Sequence, residues 1–190
     1  MSKSALVLLA NGFEEIEATC PIDLLRRAET KVSVASCEHS LLITGRSNIK
    51  LEADCLFDGE ISKDHDMLVL PGGPAVFELR KNPQVLSFIR EFDQTGKPIG
   101  AICAAPLLLL DAQVIRERRY TAHGSVSDEL PDMENKQPIV RDENLITSRG
   151  AGTAVEFGLG LVEILHGEKM ANEIRQAIHA DPLSADEGAK

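Results

Sequence analysis

Residues 100–106 read GAICAAP, preceded by KPI and followed by LLLLDAQVI. The apolar run before the cysteine has the length of a short buried strand, and the run after Pro106 has the length and composition of a helix. Cys103 stands where strand turns into helix, with Ala101 and Ala105 two residues to either side. Small residues at both places are what a tight turn needs to push a nucleophile into the open. This is the G-x-S-x-G elbow with thiol for hydroxyl and alanine for glycine. The dipole of the following helix favours thiolate over thiol, which predicts a pKa in the roughly 3.5–7.5 range of activated cysteines.

The same alternation runs through the chain. ALVLLA (5–10) predicts a strand and is followed by a helix from about Glu14 to Ala28. KVSVAS (31–36), DMLVLPGG (66–73), KPIGAI (97–102) and RRYTAHG (118–124) predict further strands, and PIVRDENLITS (138–148) a pair around a turn. SLLITG and NIKLEAD predict a hairpin extension, while helices are expected over 74–96, 104–115 and 153–180. Short apolar strands alternating with helices specify an α/β fold, a mainly parallel sheet with helices on both faces. No repeat or linker divides the chain, so residues 1–180 form one domain, and the polar DPLSADEGAK at 181–190 is expected to be a disordered tail.

Composition narrows the partners. The 190 residues carry 20 basic and 30 acidic side chains, a formal charge of −10, which disfavours nucleic acid and anionic membranes. The apolar run 5–10 is too short for a signal peptide, and no run approaches the roughly 20 residues that span a bilayer, so a cytoplasmic protein is expected. Cys20, Cys37, Cys55 and Cys103 are widely spaced, without C-x-x-C or close Cys/His ligands, so free thiols and no metal site are expected.

In a parallel α/β sheet, function gathers beyond the C-terminal strand ends. ANGFEEIE, PGGP, CAAP and AHGS all fall there. On the first helix, Phe13, Glu17, Pro21, Leu24 and Ala28 share one stripe on which Glu17 is the only charge; Glu15 points the other way. A carboxyl buried on that stripe holds its proton and can hydrogen-bond the Cys103 sulfur, so that removing it raises the thiol pKa. His123 is placed to move a proton to or from the thiol or a bound carbonyl. Gly72 and Gly73 allow positive φ and close backbone approach; an amide of this turn with that of Ala104 can form an oxyanion hole. GLG at 158–160 lies within a helix and fits close helix packing rather than a dinucleotide fingerprint. Ile16, Cys20 and Leu25 flank the Glu17 stripe with more apolar surface than one sheet face needs, which predicts a homodimer.

Taken together, ALVLLANGFEEIEATCPIDLLRRA, DMLVLPGG, GAICAAP and LITSRGAGTAVEFGLGLVEIL, with their spacing, resemble the ThiJ/PfpI superfamily in its DJ-one branch. The resemblance covers nearly the whole chain except the tail. It implies a flavodoxin-like three-layer α/β/α sandwich and a homodimer. It matches Cys103 to the reactive cysteine, Glu17 to its paired glutamate, His123 to the nearby histidine and Gly73 and Ala104 to the oxyanion amides. Arg27 matches an arginine donated across the dimer interface. It further implies a cofactor-free glyoxalase or deglycase acting on methylglyoxal, glyoxal or early glycation adducts, with an oxidative-stress sensor or chaperone that uses cysteine oxidation as the alternative. Three positions depart from close relatives: Ala151 and Gly124, where proline is often seen, and Pro74 after the double glycine. No His-x-Glu pair of the amidotransferase type is present, since Gly124 and Ser125 follow His123.

Overall fold

The computed structural model describes residues 2–58 and 64–180; the predicted tail at 181–190 lies outside the described residues. Seven strands form one sheet. In chain order they are β1 (Ser4–Leu9), β2 (Lys31–Ser36), β5 (Cys55–Leu56), β6 (Met67–Leu70), β7 (Ile99–Ile102), β8 (Ile139–Asp142) and β9 (Leu145–Ser148). Two more, β3 (Leu42–Thr44) and β4 (Lys50–Glu52), pair as the expected antiparallel hairpin. The sheet order is β5-β2-β1-β6-β7-β9-β8, parallel except for β8 against β9.

Strands β6 and β7 are buried throughout, and β1 is buried from its second residue, as helices on both faces require. On one face lie α1 (Glu15–Arg27), α5 (Ala154–His166) and α6 (Glu168–Ala177); the other carries α2 (Ala75–Leu79), α3 (Pro83–Asp93) and α4 (Pro106–Asp111). Local signals set the helix ends. The Glu14 side chain caps α1 by accepting the Glu17 amide at 2.8 Å, and Asn82 caps α3 ahead of Pro83. The GLG glycines do pack closely: a Cβ at Gly158 would lie 2.6 Å from Leu24 Cδ1 on α1, and one at Gly160 2.8 Å from Ile146 Cδ1 on β9.

Three expectations are corrected here. RRYTAHG is not a strand. Its amides bond outside any ladder, Thr121 N to Thr147 Oγ1 at 2.8 Å and His123 N to the Cys103 carbonyl at 2.9 Å. The helix after Cys103 stops at Asp111, and Gln113 beyond it turns left-handed at φ 62°. Leu25 is fully buried in its own chain's core and adds nothing to an outer face, whereas Ile16 is 53% exposed.

The sheet order places the first crossover (β1 to β2) on one side of β1 and the return strand β6 on the other. The crevice between β1 and β6 is the topological switch point. Glu17 follows β1, Gly72 and Gly73 follow β6, and Cys103 follows β7, so all reach the rim of this crevice.

Candidate active site

Cys103 has φ +66°, a left-handed conformation that a residue with a Cβ seldom holds. It is held there from both sides: its amide donates to the Ser148 carbonyl of β9 at 2.9 Å, and its carbonyl accepts the His123 amide. Ala101 and Ala105 are fully buried beneath it, which is why only small residues fit there. The elbow expected from GAICAAP is present.

Glu17 is 1% exposed, as the stripe required. Its Oε2 accepts the Gly72 amide at 3.1 Å, the Ala151 amide also donates to the carboxyl, and the carboxyl is hydrogen-bonded to Cys103. Gly73 has φ +93° and Gly72 does not share this conformation. Gly72 is required for closeness instead: a Cβ there would lie 2.5 Å from Glu17 Oε2 and 2.6 Å from Cys103 Cβ. Gly150 (φ +157°) closes the site, since a Cβ on it would lie 3.3 Å from His123 Cδ2, 3.6 Å from Glu17 Oε1 and 4.0 Å from Cys103 Sγ. The three predicted side chains converge around this glycine.

Burial pushes the Glu17 carboxyl up to about 7, the Cys103 hydrogen bond opposes that, and the Glu14 charge adds to it. Burial also pushes the Cys103 thiol up to about 12, the Glu17 charge and hydrogen bond raise it further, and the Gly73 and Ala104 amides pull it down. The expectation of a simply acidic thiol, which removal of Glu17 would raise, is thereby corrected. An ionised Glu17 opposes the thiolate, and the two groups titrate as a pair that loses one proton near neutrality and the second far above it. With the shared proton on Glu17 the charge repulsion vanishes, and the two amides then favour the thiolate. Burial raises the other thiols too: Cys20 to about 11, Cys37 to about 12, and Cys55 likewise upward. No amide donor offsets the rise at any of these three.

A cavity of about 240 Å³ lies over the sulfur, lined by Glu17, Arg46, Gly73, Cys103, Ala104 and His123 among others. A larger space of about 590 Å³ adjoins it and shares His123, Ser125 and Ala151. Pro74, Gly124 and Ala151, the three departures, all line one or other space. Arg27 lies on the exposed face near the far end of α1, bonded to Asp23 at 2.7 Å, and lines neither space within its own chain. Among the described residues no cluster of His, Cys, Asp and Glu is arranged to hold a metal, and no helix is long and apolar enough to cross a membrane.

Four residues shape the site without a functional signal in the sequence: Glu15, which was expected only to point away from the stripe, Arg46, Ser125 and Gly150. Glu15 is buried, but by the β3–β4 hairpin rather than the sheet: its Oε1 accepts the Ser47 amide at 2.7 Å, while the buried Oε2 has no partner. Burial works against its charge, but the Ser47 and Ile49 amides prevail and hold the carboxyl below its ordinary range. The turn thus held carries Arg46 to the cavity wall. Ser125 bonds the imidazole of His123, and Gly150 supplies the close approach described above.

A three-layer sandwich with a strained cysteine at a strand-to-helix elbow, paired with a buried glutamate under two backbone amides, defines a flavodoxin-like protein with a nucleophile-type thiol. Comparison with known proteins sharpens this. Residues 3–164 match the DJ-1/PfpI family, and the chain belongs to that family. It is 35% identical over 182 residues to Protein dj-1beta of Drosophila melanogaster, covering 94% of this chain and 97% of that one. It is 35% identical over 175 residues to Protein DJ-1 homolog B of Arabidopsis thaliana, covering 90% of this chain but only 40% of the plant protein. The chain likewise spans 45% of the Arabidopsis homolog A. Among solved structures it superposes on Drosophila DJ-1beta with a TM-score of 0.89 at 34% identity, covering 94% of this chain and 98% of that one. Oxidized Toxoplasma gondii DJ-1 gives 0.88 at 29% identity, with the same coverage.

Proposed function

We propose that this DJ-1-type protein is a cofactor-free, glutathione-independent glyoxalase or deglycase of the stress response, acting on methylglyoxal, glyoxal or early glycation adducts. The observation that carries this reading is the Cys103 sulfur hydrogen-bonded to the buried Glu17 carboxyl and to the Gly73 and Ala104 amides, in a cavity of about 240 Å³ suited to a small dicarbonyl. The Cys103 thiolate adds to the aldehyde carbon, and the carbonyl electron pair becomes an oxyanion held by the two amides. Glu17, which holds the pair's proton while the sulfur is a thiolate, first passes it to that oxyanion; as a carboxylate it then takes the proton from the same carbon and delivers it to the neighbouring oxygen, and an enediol forms. Reprotonation at the neighbouring carbon leaves a hydroxy-thioester. Water hydrolyses it, releasing the hydroxy acid and the thiol. The net change is addition of one water, with one carbon oxidised and its neighbour reduced, so no cofactor or metal is needed. In this reading the protein works as a cytoplasmic homodimer. Exposed Ile16 contributes to the contact, and the Arg27 of one protomer approaches the site of its partner.

A second reading has its own support. The acid beside the thiol can hydrogen-bond a sulfinate formed with two equivalents of peroxide, and one structural relative is described as oxidized. The two separate on lactate formation from methylglyoxal, glutathione excluded, by wild type and Cys103→Ala. Lactate above the Cys103→Ala background is expected. If none forms while peptide mass spectrometry shows dilute peroxide oxidising Cys103 ahead of Cys20, Cys37 and Cys55, the sensor reading replaces the enzyme.

A further inference from the structure

His123 caps a short turn at Gly124–Val126, and its ring is engaged from one side. The Ser125 amide donates to Nδ1 at 3.1 Å, and Ser125 Oγ lies 2.8 Å from the same nitrogen. The opposite edge of the ring faces the reaction centre. Cδ2, the neighbour of Nε2, is the closest side-chain atom to the Gly150 position at which Glu17 Oε1 and Cys103 Sγ also meet.

A backbone amide can only donate. The nitrogen it faces must therefore offer a lone pair, and in a neutral imidazole the proton then sits on the other nitrogen. We infer that Ser125 is a positioning residue that fixes His123 as the Nε2–H tautomer, so that the imidazole presents a hydrogen-bond donor, not a base, to the substrate oxygen over Cys103. To act as a base at Nε2, the ring would have to carry its proton on Nδ1, donor against donor with the Ser125 amide. The Ser125 hydroxyl can donate to a bare Nδ1 or accept from Nδ1–H and so does not choose between the tautomers; the amide, which can only donate, disfavours the base arrangement by up to about tenfold. The inference deepens the enzyme reading and rests on it for the identity of the oxygen. Glu17 and the thiolate then handle the protons. His123 joins the Gly73 and Ala104 amides as a third donor to the oxyanion. The serine two residues after the histidine belongs to the segment where this chain has Gly124. Gly124 itself is unconstrained, since a Cβ there would meet nothing within 4 Å.

The test combines spectroscopy with kinetics. In full-length protein carrying ¹⁵N-labelled histidine, long-range proton–nitrogen spectra at alkaline pH are expected to show His123 Nδ1 as an unprotonated nitrogen and Nε2 as a protonated one. Ser125→Ala keeps the amide and should keep this pattern; Ser125→Pro removes it and should give a mixed tautomer. On methylglyoxal, His123→Gln, whose side-chain amide also donates, should stay within about tenfold of wild type, while His123→Ala falls about 10²–10³-fold as for loss of an oxyanion donor. A proton on Nδ1 in wild type overturns the inference, and that measurement needs no variant to fold. So does a His123→Gln enzyme as poor as His123→Ala. If wild type does not turn over methylglyoxal, the enzyme reading fails, and the nitrogen spectra still decide the tautomer.

Discussion

Replacing Glu17 by Gln should make the protein more stable at pH 8 and inactive. The carboxyl titrates at 4.5 in an unfolded chain and at about 7 in the folded one, chiefly because burial penalises its charge. The native state therefore binds the Glu17 proton more tightly than the unfolded state does. Its contribution is fully present below pH 4.5 and is lost as pH rises through about 7. Each tenfold difference in proton affinity is worth about 1.4 kcal/mol, so wild type gives up about 3 kcal/mol across this window. Gln is neutral at every pH and matches the protonated acid in shape, with an oxygen for the Gly72 amide and an NH₂ toward the sulfur. Carboxylates held low by their partners, Glu15 and Asp66 among them, lose stability in the acid direction and would mask the effect in wild type alone. The readout is therefore the difference between wild type and Glu17→Gln in urea unfolding at pH 5 and pH 8. That difference should move by up to about 3 kcal/mol in favour of Gln between the two pH values. A parallel pH dependence for the two proteins, or a variant less stable than wild type by a growing margin at pH 8, would refute the burial argument.

Two further outcomes follow from the same pair. Alkylation of Cys103 by iodoacetamide, followed by peptide mass spectrometry, should speed up as pH rises through about 7, level off, and rise again toward about 12. In Glu17→Gln the first step should vanish and the upper titration should move down, because the charge and hydrogen bond that lift the thiol are gone. Gly72→Ala should destabilise the fold by about 1–3 kcal/mol in urea titrations, since its methyl meets Glu17 Oε2 and Cys103 Cβ at overpacked distances; it should also erase the pH 7 step in alkylation. A fully active, equally stable Gly72→Ala protein would contradict the geometry.

Periodicity made much of this legible. The Phe13–Glu17–Pro21–Leu24–Ala28 stripe is a property of helix geometry, and all five side chains are buried as expected. The elbow was legible because a nucleophile turn restricts its neighbours to small residues. What stayed hidden depended on contacts between distant segments. Nothing local tells that Arg118–His123 runs extended without joining the sheet, because the decision rests with the Thr147 hydroxyl and the Cys103 carbonyl. Glu15 sits opposite the buried stripe, and only the arrival of the Gly45–Ser47 turn buries it. A Cβ on Gly45 would collide with its carboxylate, a constraint invisible in a lone glycine. Leu25 is the converse case, buried in a chain whose first helix packs against α5 from much later in the sequence as well as against β1 and β2. The thiol's acidity was not legible because the burial of the sulfur, which raises it most, and the charge of an ionised Glu17, which raises it further, follow from the packed site and not from the helix that starts after Cys103.

Pro74, Gly124 and Ala151 enter the cavity wall from three separate connections, after β6, after the extended segment and after β9, while Cys103 and Glu17 are anchored in the elbow and the first helix. Residues that admit a substrate and residues that transform it are thus encoded in different loops. Drift in one loop can re-cut the entrance without disturbing the proton pair below. Such a scaffold lets the entrance change while the reactive centre stays fixed.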